Sequence, residues 1–530
     1  MATDVLNKIK SCLLDCRREL NGLNAIVDRS IQNALERLGQ PMQLAIIGRL
    51  SSSKSTLVNA LLGNPDIAKT DKSEETYNVS WIKYGENENE ITVVFKDGKR
   101  IKANRTDLAD WTSRHGKNAV SSEISHIQIP VRNEFLRSVN IIDTPGLDSA
   151  YGKDSQNTIR FLEDVKPDAV IMLFTKSINS ETLETLTEFQ RHFCSDAYRI
   201  SPMNAIGVMG KVDELWKIID AQNTPLLRGQ KVIDSLFSSN PSLSQIFQNI
   251  YPTSALIGLG AKMLDEKDYS YLKSLESLTD KQLIATFADV KFFVKEIPGI
   301  HLSEVSRRIL LDKLGLYGVF EAVSFLQKHP EANLNEVKKH LDSVCGISQI
   351  TSAVITHFGK RATTLKTRNS LISVLHAINV ERAKLSDKTI ISIFDDIANQ
   401  LSTTLFSIRE YELWDILSKV YEGKSHLTDS EAINDLKNIS GENGTSASNK
   451  LGLTVPVTVE EMIAIAKSKS KTWASKYTLA KMRNKRELAN IYRTMSSAYG
   501  ELEVEIVSAH EEIQKAEWIL RHNNEYLFSI

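Results

Sequence analysis

Eleven of the twelve prolines fall at or before Pro330, leaving Pro456 alone in the last 200 residues. A proline ring removes a backbone donor and clashes with the preceding helical turn. The C-terminal part is therefore free to form long helices, and the N-terminal part is punctuated. The apolar pattern uses that freedom. Trp473, Tyr477, Ala480, Leu488, Ile491, Met495, Ala498, Leu502, Ile506, Ala509, Ile513, Ala516 and Leu520 recur at steps of three and four, with Asn484 the one gap. From 473 to 520 this seam predicts a helix, or two stacked ones, roughly 70 Å long, which needs partner helices along its length.

A candidate partner lies at the other terminus, where Val5, Ile9, Cys12, Cys16, Leu20, Leu23 and Val27 keep the same rhythm. Stretches within 302–329, 334–358 and 368–420 share it. Between Met42 and Ala255 the rhythm changes to short apolar runs: Leu44–Ile47, Ile91–Phe95, Val139–Ile142, Ala169–Phe174 and Ala205–Val208. Buried strands alternating with helices imply an α/β domain with a largely parallel sheet. Lys96-Asp97-Gly98-Lys99 reads as a hairpin turn. Residues 438–458, rich in Gly, Ser, Asn and Thr, read as a tip or hinge. The expected layout is helices over 1–39, an α/β domain over 40–300, a helical middle over 301–460, and long helices over 461–530.

Composition removes several classes. With 530 residues, 42% of them hydrophobic and 25% charged, the chain can bury a sizeable core, so disorder and collagen are excluded. A net charge of −1 supplies no global field for nucleic acid. Cys12, Cys16, Cys194 and Cys345 read as reduced thiols. Asp4, Asp15 and Glu19 interrupt any apolar leader, and Ala169–Phe174 is far short of the roughly 20 residues of a span. The expectation is a cytoplasmic protein with room for peripheral membrane association.

The first α/β strand runs into Gly48-Arg49-Leu50-Ser51-Ser52-Ser53-Lys54-Ser55-Thr56 and then a helix-like Leu57–Leu62. Strand, tight loop and helix form the context of a phosphate loop. Backbone amides from Gly48 through Ser51, Ser52, Ser53 and Thr56 would hold phosphate oxygens. Lys54 would neutralise β- and γ-phosphate charge, and the Ser55 hydroxyl would bind Mg²⁺. Ser53 replaces the usual glycine. The bland alternative is a serine-capped helix. Three further elements follow in order. Asp143-Thr144-Pro145-Gly146 ends the next strand, its carboxylate placed for Mg²⁺ and its Gly146 amide for a γ-phosphate. Gly210-Lys211-Val212-Asp213 ends another, where Lys211 and Asp213 would read guanine, although Gly210 stands where Asn or Thr is usual. Ser254-Ala255-Leu256 follows the last strand-like stretch. A threonine is also needed between the first helix and the next strand. Thr70 and Thr76 both qualify, and Thr76 is preferred because Val79–Tyr84 starts directly after it; the alternative is that it merely begins that strand. Lys54, Ser55 and Thr76 are the residues expected to act on the reacting phosphate, with Ser55, Thr76 and Asp143 around the metal.

These residues resemble the dynamin superfamily, especially bacterial dynamin-like proteins, with LeoA-type members one point of comparison. The resemblance rests on Ser51–Gly63, on Glu75-Thr76 before Ile82-Lys83-Tyr84-Gly85, and on the hairpin followed by Leu108-Ala109-Asp110-Trp111. It extends through Lys313–Gly318 and Gly346–Ala362. It implies a P-loop GTPase domain with a long all-α helical-bundle neck and stalk, GTP and GDP as ligands with Mg²⁺, and self-association through the GTPase domain. It also implies membrane remodelling, vesicle or secretion-related activity. Leu50, where eukaryotic members place a catalytic glutamine, together with Ser53 and Gly210 implies weak affinity and slow turnover. No residue is assigned as a general base.

Residues 451–486 hold the candidate membrane surface. Lys467–Arg486 carries eight basic and no acidic residues, with Trp473 and Tyr477 alongside. The alternative is a solvated helix face whose aromatic seam packs internally. A second candidate is the apolar Leu451–Val457. Two other functions compete with a membrane-acting GTPase: a nucleotide-gated scaffold that barely hydrolyses GTP and works through protein partners, and a GTPase acting on RNA, which the absence of aromatic-basic RNA motifs disfavours.

Overall fold

The structure is a computed structural model that describes residues 2–48, 52–68, 78–112, 123–145, 165, 167–175, 202–220, 222–296 and 298–527, with residues 2–4, 360 and 521–527 described by backbone alone. It divides into two compact units, one of Gln40–Ile355 and one of Met1–Gly39 with Thr356–Ile530.

Nine strands form the sheet of the first unit: β1 Met42–Gly48, β2 Ser80–Tyr84, β3 Glu90–Phe95, β4 Arg100–Asn104, β5 Ile124–Val131, β6 Val139–Asp143, β7 Ala169–Phe174, β8 Ala205–Met209 and β9 Ile250–Pro252. Their order is β4-β3-β5-β2-β6-β1-β7-β8-β9. The run β6-β1-β7-β8-β9 is parallel. Every residue of β1, β6, β7 and β8 is buried, the signature of strands covered on both faces. β2 turns the other way against β6 and pairs parallel with β5, and the β3–β4 hairpin closes that edge. The hairpin turns where the sequence places it, with Gly98 at φ +88° and the Phe95 amide donating to Lys99 O at 2.9 Å. One core side contains Ala45, Ile47, Ile142, Met172, Phe174 and Phe247.

Helices Glu304–Lys328 and Leu334–Val344 fall in this unit, whereas the sequence boundary at 300 assigns them to the helical middle. Their apolar residues Leu310, Leu314, Val319, Val323 and Leu341 are buried, with Ala255–Met263 as a shared packing partner. Two glycines permit close approach. A Cβ at Gly260 would overlap the Lys313 carbonyl, and one at Gly258 would lie 3.2 Å from Cys345 Sγ. Amphipathic rhythm states that a face is buried, not against what.

In the second unit, Ala2–Leu20 and Ala25–Leu38 pack with Ala362–Arg382 and Lys388–Phe406. Ile9, Leu13, Cys16, Ile31, Val374 and Ile397 are among the core residues. The N-terminal rhythm thus finds its core partners in 362–406. The C-terminal seam closes on itself. Val459–Met482 and Arg486–Leu527 form an antiparallel pair in which Ser470 Oγ donates to Ser496 O and Ser496 Oγ to Ser470 O, each at 2.9 Å. Trp473 stacks on Tyr492 with centroids 5.5 Å apart. The turn is at Asn484, φ +54°, the one gap in the seam.

Of the stretch read as a tip or hinge, residues 438–442 are buried. Trp414 Nε1 donates to Ser440 O at 3.0 Å, and Tyr421 OH bonds the Glu442 carboxylate. Glycines there serve tight backbone turns, as at Gly441 with φ +78°. Within 451–486, Trp473 is 1% exposed and donates through Nε1 to Asp435 Oδ2 at 3.1 Å, while Lys469 Nζ reaches Asp435 Oδ1 at 2.6 Å. Trp473 packs internally and Tyr477 is half-buried, while Lys467, Lys471, Thr472, Ala474, Ser475 and Thr478 face water along the helix. No helix among the described residues is long and apolar enough to cross a membrane.

Candidate functional site

The site forms where the parallel strands β6, β1, β7 and β8 end in succession along the sheet. β1 terminates at Gly48, where a Cβ would lie 2.8 Å from Leu173 O and 2.9 Å from Ser52 Oγ, so only glycine fits. Ser52 is buried, and Ser53 takes the left-handed conformation at φ +67°, ψ +32°, capping helix Lys54–Leu62 without a side-chain bond. This is the backbone position for which a glycine is usual in such a loop. The serine-capped-helix alternative therefore lacks its defining bond. Lys54 is buried beneath the loop and its Nζ donates to Gly48 O at 3.2 Å. Thr56 follows on the first helical turn, partly buried.

β6 pairs with β1 so that Asp143 stands beside Ile46. The Ser55 hydroxyl donates to Asp143 Oδ2 at 2.9 Å, while the buried Oδ1 has no hydrogen-bond partner among the described residues. Burial raises the Asp143 carboxyl to about 6, opposed by the nearby Lys54 ammonium and by the Ser55 hydrogen bond. A buried carboxylate with an orphaned oxygen next to a serine hydroxyl suits a hard cation. The residues present therefore fit Mg²⁺. Thr144 Oγ1 fixes the strand end by donating to Ile46 O at 2.9 Å.

At the other end, Gly210 N donates to Phe174 O at 2.8 Å, and a Cβ at Gly210 would lie 3.3 Å from Ser52 O. A side chain there would touch the phosphate loop, so its absence removes a link between the two ends. Lys211 is left-handed, φ +56°, and opens the short turn Val212–Leu215 that carries Asp213. Burial raises the Asp213 carboxyl, opposed chiefly by the Ser254 hydroxyl. Ser254 is buried and caps helix Ala255–Met263. Ser51, Leu50, Thr70, Thr76 and Gly146 lie outside the described residues, as does Cys194.

One residue escaped the sequence reading. Asn59 is fully buried on the helix after Ser55, and its Nδ2 donates to Pro65 O and Ala68 O, both at 2.7 Å, while Oδ1 accepts from Ala68 N at 2.8 Å. It anchors the chain leading towards Thr70 and Thr76. The available signal was an amide inside the apolar run Leu57–Leu62. A cavity of about 650 Å³ in the helical unit is lined by Arg409, Glu412, Asp415, Lys419, Glu487 and Thr494. Within it Lys419 pairs with Asp415 at 2.9 Å and Arg409 with Glu412, while Glu487 pairs with His426.

Residues 44–211 match the Dynamin family model. Isoniazid-induced protein IniC of Mycobacterium tuberculosis is 25% identical over 421 residues, 79% of this chain and 81% of that protein. Dynamin-like protein 2 of Campylobacter jejuni subsp. jejuni is 27% identical over 164 residues, 30% of this chain and 26% of that one. Among solved structures, an oligomerised bacterial dynamin pair, described as providing a mechanism for long-range sensing and tethering of membranes, aligns over 99% of this chain and 76% of its own. That alignment has 17% identity and a TM-score of 0.31.

Proposed function

We propose that this chain, a dynamin-superfamily protein of the bacterial type, binds GTP with Mg²⁺, hydrolyses it slowly when unassisted, and couples nucleotide state to work at a membrane surface. The observation that carries the reading is the meeting of Ser55 Oγ and Asp143 Oδ2 at 2.9 Å beside the buried Lys54, with an orphaned carboxylate oxygen between two strand ends. Backbone amides from Ser51 to Thr56 bind phosphate oxygens, and Lys54 stabilises the charge that develops on the transferred group. Ser55, Asp143 and Thr76 would hold the metal, which would draw charge from the β- and γ-phosphates. The Gly146 amide responds to the γ-phosphate, and Lys211, Asp213 and Ser254 receive the base. Self-association through the nucleotide domain is part of the same proposal.

For the membrane, the apex of the C-terminal hairpin is favoured. Leu479 and Met482 are 52% and 77% exposed there, amid exposed Lys481, Arg483, Lys485 and Arg486. Each cation near an anionic surface contributes about 1 kcal/mol. A second reading, a nucleotide-gated scaffold that barely turns over, is favoured by the strained Ser53 and the missing side chain at Gly210. Turnover of GTP measured with and without anionic liposomes separates the two. Stimulation that Lys54→Ala abolishes supports the GTPase. Tight binding with no turnover under either condition supports the scaffold, and no binding of guanine nucleotide by the wild type refutes both.

A further inference from the structure

Helix Glu304–Lys328 is interrupted in its middle. Gly315 has φ +67° and ψ +175°, a combination open in practice to glycine alone, while helical geometry resumes on both sides. The flanking residues Leu314, Tyr317 and Gly318 are buried, so the break is not a frayed end. Such a ψ turns the peptide between Gly315 and Leu316 out of the helical ladder, and a mid-helix break gives up hydrogen bonds that a continuous helix would keep. The gain must lie in what the break stands beside.

It stands beside the base end of the site. A Cβ at Gly315 would lie 3.6 Å from Asp213 Oδ2 and 3.4 Å from Leu256 Cδ2. The second half of the helix is tied to the same turn. Trp216, whose amide donates to Asp213 O at 3.2 Å, has ring centroids 4.6 Å from Phe320 and 5.4 Å from Tyr317. The break therefore lies close beside the Asp213 carboxylate, and the helix beyond it packs on the turn that carries that carboxylate. The pocket also lacks a side chain at Gly210, so its geometry depends more heavily on such main-chain constraints.

Resting on the nucleotide reading above, we infer that Gly315 is a positioning residue for base recognition: the helix break sets the Asp213 carboxylate and walls the pocket with main chain. The ligand chemistry concerned is the N–H edge of a guanine base, whose ring N1–H and exocyclic amine a carboxylate accepts. Burial that disfavours a bare Asp213 carboxylate is consistent with donors supplied from such an edge.

The test compares binding of GDP and inosine diphosphate, which lacks the exocyclic amine, to the full chain with Mg²⁺. Wild type should prefer GDP by about tenfold or more, since an unpaired buried acceptor is costly. Gly315→Ala should bring the two affinities to within about threefold, as should the control Asp213→Ala, with inosine diphosphate still bound. A variant that keeps the wild-type preference, whatever its overall affinity or thermal stability, overturns the inference. If Gly315→Ala fails to fold, hydrogen exchange on the wild type decides. Amides of 313–318 protected by GDP support the assignment, and unchanged exchange there rejects it. Failure of the wild type to bind GDP at all is a separate outcome that removes the nucleotide reading together with this inference.

Discussion

Asp143→Asn should make the ligand-free protein more stable and the nucleotide-loaded protein less so. In the fold, burial holds the Asp143 carboxyl at about 6 against an ordinary 3.8, despite Lys54 and Ser55. Between those pH values the folded chain keeps a proton that the unfolded chain has released. Unfolding therefore releases a proton, and the stability contributed by this group falls as pH rises from about 4 to about 6, remaining low above. A displacement of about two pH units corresponds to about 3 kcal/mol at pH 8. An amide carries no charge to desolvate, so Asp143→Asn should recover much of this sum, less whatever Lys54 attraction is lost. The assay is urea unfolding of wild type and variant from pH 4 to pH 8 without nucleotide. The two should converge near pH 4, with the variant ahead at pH 8. With Mg²⁺ and GTP at 100 times the dissociation constant, wild type should gain about 2.7 kcal/mol by linkage and the variant little. A variant less stable than wild type at pH 8 without ligand would refute the reasoning, because it would mean that Lys54 and Ser55 already outweigh the burial cost.

Two other outcomes follow from local geometry. Ser53→Gly removes a left-handed strain of about 1–2 kcal/mol at the cost of a more flexible unfolded chain. Thermal unfolding should show a net gain of about 0.5–1 kcal/mol, with tighter labelled-GDP binding; weaker binding would show that the serine side chain takes part in the site. Asp435→Ala leaves Trp473 Nε1 and Lys469 without their shared acceptor and should cost about 2–3 kcal/mol in urea unfolding. A loss under about 0.5 kcal/mol would mean that the hairpin seam does not depend on that carboxylate.

The parallel half of the sheet was legible because its strands are covered on both faces and read as unbroken apolar runs. β5 was not read, since Ser125, His126, Gln128 and Pro130 break up its apolar residues. Ser55 and Asp143, far apart in sequence, meet because β1 and β6 pair. The partners of the helices were another matter. Periodicity marked the faces of 302–329 and of the N-terminal helices, yet the choice between sheet unit and helical unit rests on glycines such as Gly258 and Gly260, whose value lies in the atoms that approach them. Asn484 was visible as a gap but not as a reversal, because a polar residue in a seam is compatible with either. Gly315 sits in an apolar helical run where nothing local signals a break.

Four non-glycine residues among those described hold positive φ: Asn21, Ser53, Lys211 and Asn484. The two asparagines sit in turns between helices, where their short amides tolerate that conformation. Ser53 and Lys211 have no such tolerance, and they follow the ends of β1 and β8, the ends proposed for phosphate and base. Strain of this kind persists only where the surroundings over-determine it. The surroundings here are the fully buried strands β1, β7 and β8, whose ends fix both loops, with Gly210 packed against the Ser52 carbonyl between them. Ser53 is strained and makes no side-chain cap bond, and in the same loop Gly48 lies too close to Leu173 O to accept any side chain, which favours the proposed phosphate cradle over a capped helix.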